Sequence, residues 1–309
     1  MRPQVRTPRS TDGTHIHAEA VGDPRNPHVV FIHEATLSAQ VFDGLFDDPR
    51  LTDYLFIAGS TFLSIHRSLT LFAIAQVRYD LRCHGRSGCV RSQGDQLPSL
   101  YAADFAAVAD AFGLHKPIVV AWCASSSVVA DLCAHLQPPS FTGLVAIAPS
   151  LDLGHGLGHT FTARGRALID ALRTTRDAAA CGRTKTDFVD AILSPGERTA
   201  DAVAMRAAWL GRSVAQDAEE TAALLSRPCS VARLLDAGRR GLPMLLLVGA
   251  ADAVVDGAAV VRGLSGHFRN TEAHVLAEAG HALFVDRRDE FVRLLLVFVG
   301  RLAVMKLMH

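Results

Sequence analysis

Short apolar runs alternate along the chain with longer stretches of helical spacing, and turn residues punctuate both. His28 to His33 (HVVFIH) and Pro117 to Trp122 (PIVVAW) read as buried strands, and Gln76 to Leu81, Gly143 to Ala148, Pro243 to Gly249 and Glu272 to Leu276 read as further strands. An N-terminal hairpin is expected to turn at Asp12-Gly13. Helices are expected from Leu100 to Phe112, ended by Gly113, from Ala124 to about His135, and from Asp289 to Val304. Such alternation predicts an α/β protein with a mostly parallel central sheet and helices on both faces. Leu151 to Arg240 has no strong strand and is rich in alanine, arginine and threonine, which predicts a helical cap inserted into the core. The expected organisation is thus a first core part over 1–150, a cap over 151–240 and a second core part over 241–309.

One connection is too long for this plan. His33 to Asp80 exceeds the usual strand, short helix and strand connection by ~20 residues. The excess falls at 54–76, as either a lid helix or an aberrant insertion.

Composition narrows the partners. Lysine plus arginine and aspartate plus glutamate number 31 each in the 309 residues, so the chain lacks the basic excess of a protein that binds polyanions without sequence preference. A small-molecule substrate is expected rather than nucleic acid. Hydrophobic residues make up 49% and charged ones 20%, enough to bury a large core. The apolar stretch Leu55 to Ala75 carries His66 and Arg67 near its centre, and Phe291 to Met305 is interrupted by Arg293 and Arg301. Neither reads as a membrane span. The six cysteines include no CxxC pair and are expected to be reduced thiols. Residues 1–13 contain no apolar core of a signal peptide, and a cytoplasmic location is the expectation.

The chemistry gathers where a strand runs straight into a helix. In Ala121-Trp122-Cys123-Ala124-Ser125-Ser126, small residues stand two before and two after Cys123, as a tight strand-to-helix turn around a nucleophile requires. Alanine and serine replace the glycines of the usual G-x-S-x-G pattern, and cysteine replaces its serine. Further segments follow in a familiar order: His33, then Asp80-Leu81-Arg82-Cys83-His84-Gly85-Arg86-Ser87, then Val248-Gly249-Ala250-Ala251-Asp252, then Gly280 to Phe284 (GHALF). Over most of its length the chain resembles the α/β-hydrolase family in its serine-hydrolase branch. The resemblance implies the α/β-hydrolase fold, a triad of Cys123, Asp252 and His281, and no cofactor or metal.

In such a triad His281 takes the thiol proton, Asp252 orients the imidazole, and Cys123 attacks a carbonyl. A histidine partner and the start of a helix are expected to lower the thiol pKa. The backbone N–H groups of Ala35 and Ala124 are the expected oxyanion-hole donors. His33, Glu34 and Trp122 are expected beside the site. Glu34 stands where the serine branch has glycine, and Glu34 with Cys123 resembles the pair in dienelactone hydrolases, where a glutamate at the matching turn pairs with the resting thiol.

Plainer readings stand beside these. Cys123 could be a buried structural thiol, and His281 a satisfied loop histidine. Asp256 rivals Asp252, since either carboxylate could cap a helix beginning near Gly257. His155 and His159 have metal-like spacing, but the glycines between them argue against a rigid pair. Cys83, His84 and Cys89 form no more than half of a zinc site, and Arg164, Arg166, Arg173 and Arg176 read as a solvated helix face. The expected activity is cleavage of an ester, lactone or thioester of a small apolar molecule through an acyl-enzyme. The alternatives are a catalytically silent ligand-binding relative and an acyltransferase.

Overall fold

The computed structural model describes residues 2–52, 73–89, 96–136, 140–150, 160–174, 177–194 and 199–307. Within them the apolar runs become one eight-stranded sheet. β1 (Gln4–Arg6) and β2 (Ala18–Val21) form the N-terminal hairpin, which turns at Asp12-Gly13 with Gly13 at φ +86°. β3 (His28–Ile32), β4 (Ala75–Tyr79), β5 (Ile118–Trp122), β6 (Gly143–Ile147), β7 (Met244–Gly249) and β8 (Thr271–Leu276) are parallel to one another. The order across the sheet is β1-β2-β4-β3-β5-β6-β7-β8, with β2 antiparallel to β4. The three central strands β3, β5 and β6 are almost wholly buried, which is why their sequences read as unbroken apolar runs rather than alternations. β8 lies at an edge, and its pattern is correspondingly mixed.

Helices cover both faces. Short helices α1 (Asp43–Phe46) and α2 (Pro49–Thr52) follow β3, and α3 (Pro98–Phe112) ends at Gly113, whose left-handed φ of +63° closes the helix. α4 (Ser126–His135) follows β5. Between β6 and β7 the described residues form α5 (Ala163–Thr174), α6 (Ala178–Ile192), α7 (Ala200–Ala215), α8 (Ala218–Ser226) and α9 (Ala232–Arg239), with an isolated β-bridge from Phe161 to Val255. Arg164 and Arg173 are exposed on α5. After β7 come α10 (Gly257–Ser265), α11 (Leu283–Asp286) and α12 (Arg288–Leu307), which buries Phe291, Leu295, Phe298 and Val299 against the core. No helix among the described residues is long and apolar enough to cross a membrane.

Two expectations need correction. The predicted excess segment 54–76 ends too late: Ala73 and Ile74 are buried, and Ala75 and Gln76 already belong to β4. The rest of it lies outside the described residues, as do His155, His159 and Arg176. Nor are all six cysteines free thiols, because Cys83 and Cys89 form a disulfide. The loop between them doubles back, with Cys83 at φ +61° and its N–H donating to Gly88 O at 2.9 Å, and that turn brings the two Cα atoms to 4.3 Å. Sequence spacing carries no signature of such a reversal.

Candidate active site

Cys123 stands at the end of β5 with φ +55°, a left-handed backbone that a residue with a Cβ adopts only when its surroundings enforce it. Neighbouring elements do enforce it. Ala121 is fully buried, and Ser125, in the place of the second glycine, sets its Oγ 2.8 Å from Trp122 O and 3.0 Å from Ile32 O of β3. A hydroxyl thus ties the turn to the adjacent strand where the usual pattern relies on a bare glycine. Residues Cys123–Ser125 form a 3-10 turn that leads into α4, with the Ala124 N–H at its head.

Asp252 follows β7. Its Oδ1 accepts the N–H groups of Val254 at 2.7 Å and Val255 at 2.9 Å, leaving Oδ2 for His281 Nδ1 at 2.8 Å. Both side chains are buried. The loop that carries His281 crosses so close to Gly249 that a Cβ there would lie 2.2 Å from Gly280 O, so only glycine lets the acid and the histidine meet. Asp256 does other work: it caps α10, its side chain accepting from Ala259 N.

Trp122 links the two halves. Its Nε1 donates to His281 O at 3.1 Å, and its ring centroid is 5.6 Å from that of His281. Above it, Trp209 of α7 packs at 5.8 Å and Phe284 meets it edge-on at 4.9 Å. His281 Nε2 is buried and makes no hydrogen bond of ordinary geometry. Cys123 is its neighbour, for each of the two groups shifts the other's ionisation.

Burial pushes the Cys123 thiol up, and the opposing pull of His281 does not overcome it. This corrects the expectation of a lowered thiol pKa, since a site 1% exposed offers a thiolate too little solvent. Burial also works against a charged His281, but the Asp252 carboxylate outweighs it and holds the imidazole pKa well above the usual histidine value.

Glu34 is buried in the loop after β3. Its Oε1 accepts the Thr36 N–H at 2.6 Å and is also hydrogen-bonded to the Thr36 hydroxyl. Burial raises its pKa to about 7 against these bonds and against the nearby His281. Its hydrogen bonds therefore go to its own loop, and no bond joins it to the Cys123 thiol. His33 lies beneath: its Nε2 accepts the Leu81 N–H at 3.0 Å, so the ring proton sits on Nδ1 and is donated to Glu34 O at 2.7 Å. Burial lowers the His33 pKa to about 3, which keeps the ring neutral.

Comparison with known proteins fits this arrangement. Residues 29–294 match the model of the alpha/beta hydrolase family. The chain belongs to that family. No curated protein matches the sequence. Among solved structures, this alpha/beta hydrolase is similar to a proposed aryl esterase from Burkholderia cenocepacia, at 21% identity and TM-score 0.80, covering 97% of this chain and 100% of that one. It is also similar to an esterase from Rhodococcus sp. ECU1013, at 24% identity and TM-score 0.77, covering 96% and 99%. An esterase from Exiguobacterium antarcticum shares 16% identity at TM-score 0.72, over 96% and 99%. At these identities the likeness is one of fold.

The structure of this alpha/beta hydrolase brings Cys123, Asp252, His281, Trp122, Glu34 and His33 into one buried cluster. Sequence reasoning missed Thr36, which holds Glu34, and Trp209, which reaches Trp122 from α7. It also missed the ion pair between Arg227 and Asp131 at 2.6 Å, which joins the end of α8 to α4 behind the nucleophile turn. None of these carries a local motif. The Trp209 and Arg227 contacts join segments far apart in the chain, and the Thr36 contact depends on how the buried Glu34 side chain turns within its own loop.

Proposed function

We propose that this protein hydrolyses an ester, lactone or thioester of a small apolar molecule, with Cys123 as nucleophile, His281 as general base and Asp252 as its orienting acid. The observation that carries the reading is the 2.8 Å contact of Asp252 Oδ2 with His281 Nδ1, on a histidine whose other nitrogen is left for Cys123. As the thiol approaches a carbonyl carbon, His281 Nε2 takes its proton and Sγ forms the bond to carbon. The carbonyl oxygen becomes an oxyanion, received by the N–H groups of Ala124 and Ala35. The intermediate then expels the alcohol or thiol, protonated by His281, and water activated by the same imidazole releases the acid. No cofactor enters the scheme. The aromatic rings of Trp122, Trp209 and Phe284 beside His281 favour an apolar substrate.

A raised pKa makes the neutral form of His281 a strong proton acceptor, so in that form it can take the proton of the neutral thiol during attack rather than before it. A second reading has its own support: a thiol pushed up by burial beside a buried glutamate also describes a silent relative that binds ligands without turnover. Turnover of a panel of 4-nitrophenyl esters by wild type, Cys123→Ala and Cys123→Ser separates them. Activity in wild type that is lost in Cys123→Ala supports the enzyme; activity in the serine variant alone supports the silent relative.

A further inference from the structure

We propose that His84 is a positioning residue for this site, holding the Ala35 carbonyl from its Nε2 and so fixing the loop that supplies the oxyanion donor. The proposal rests on the esterase reading above and deepens it.

In a trans peptide the C=O and the following N–H point in opposite directions, so whatever holds one aims the other. His33 Nδ1 holds Glu34 O, which aims the Ala35 N–H the other way. The next plane would still be free to rotate, and rotation there would carry Ala35 with it. His84 Nε2 lies 2.7 Å from Ala35 O, and the N–H on the far side of that plane, Thr36 N–H, meets Glu34 Oε1 at 2.6 Å. Two successive planes are thus set by two buried histidines whose ring centroids are 5.3 Å apart. Both nitrogens of His84 face carbonyl oxygens, the second being Arg82 O at 2.8 Å; burial lowers the His84 pKa, so the neutral ring has one N–H, which the proposal places on Nε2 toward Ala35.

His84 is itself held in place. Its N–H donates to Leu81 O at 3.0 Å, and the Cys83–Cys89 disulfide closes the loop around it. From the cap side, Gln216 Nε2 donates to Cys83 O at 2.8 Å. Asp80 joins the two loops again, its Oδ1 accepting Ala39 N–H and its Oδ2 accepting Arg86 N–H, both at 2.8 Å. A disulfide-closed loop with no other task at the site is therefore coupled directly to the oxyanion loop. Of the two side chains that make this coupling, His84 is the one that touches Ala35.

The test compares His84→Phe, which keeps a ring but cannot donate, with His84→Gln, whose amide can reach the same carbonyl. On 4-nitrophenyl esters, His84→Phe is expected to lose about 10- to 100-fold in kcat with little change in KM, because an oxyanion donor acts on the transition state rather than on bound substrate. His84→Gln should recover most of that loss. Amide hydrogen exchange, which needs no activity, should quicken at Ala35 and Thr36 in His84→Phe and return toward wild type in His84→Gln. Unchanged kcat and exchange in His84→Phe, or equal losses in both variants, overturn the proposal. If His84→Phe does not fold, His84→Asn, which keeps the amide but falls short of Ala35, takes its place with the same expectations. Should wild type turn over no ester, the exchange measurement alone decides the clamp, and the esterase reading fails separately.

Discussion

Asp252 and His281 stand 2.8 Å apart through Oδ2 and Nδ1, with both side chains buried and the other carboxylate oxygen fully used by two backbone N–H groups. The carboxylate cannot rotate without breaking those bonds, so it fixes both the tautomer and the direction of the imidazole.

Asp252→Asn removes the charge while keeping the shape. It is expected to lower kcat on 4-nitrophenyl esters by on the order of 10³- to 10⁴-fold, as loss of an orienting acid does in comparable triads. Steady-state kinetics with a thermal-unfolding control checks this; a loss under tenfold would show that the pair is structural.

The thiol of Cys123 should react slowly in the resting protein. Because burial raises its pKa, iodoacetamide at pH 7.5 is expected to label it no faster than the half-buried Cys181, with the Cys123 rate climbing steeply above pH 9. Mass spectrometry of the modified peptides reads the two rates. Preferential labelling of Cys123 at neutral pH would overturn the assignment of a neutral thiol.

Glu34 makes stability depend on pH in a specific direction. Its pKa is raised from 4.5 to about 7 in the folded chain, so between those values the folded state binds the extra proton and stability falls as pH rises. Glu34→Gln keeps an oxygen for Thr36 and removes the charge. It should stabilise the protein above pH 7, by up to roughly 3 kcal/mol, and flatten the dependence between pH 4.5 and 7. Urea midpoints measured from pH 5 to 8 test both parts.

Trp209 reaches Trp122 from α7 and is 4% exposed. Trp209→Ala leaves a cavity above Trp122 and should cost about 3–5 kcal/mol of stability. It should also raise kcat/KM for bulkier acyl groups relative to acetate, which competition between acetate and octanoate esters would reveal. An unchanged chain-length preference would remove Trp209 from the substrate pocket.

The sheet was legible because burial on both faces leaves a plain trace: HVVFIH and PIVVAW cannot be anything but inside. The meeting of Asp252 and His281, two residues of the proposed triad, was legible because each follows a strand and Gly249, where their two loops cross, is small for a local reason. The disulfide, the Thr36 support of Glu34 and the direction of the Cys123 pKa were not legible. The first depends on a chain reversal between two cysteines six positions apart, the second on how one buried carboxylate turns, and the third on how much solvent the finished fold admits.

Trp122 is adjacent to Cys123, the proposed nucleophile, along the chain and bonded to His281 across space. One side chain therefore ties the turn that carries the thiol to the loop that carries the imidazole. Any opening that admits a substrate can be confined to the helices between β6 and β7, and the spacing between the reacting groups need not be rebuilt at each cycle.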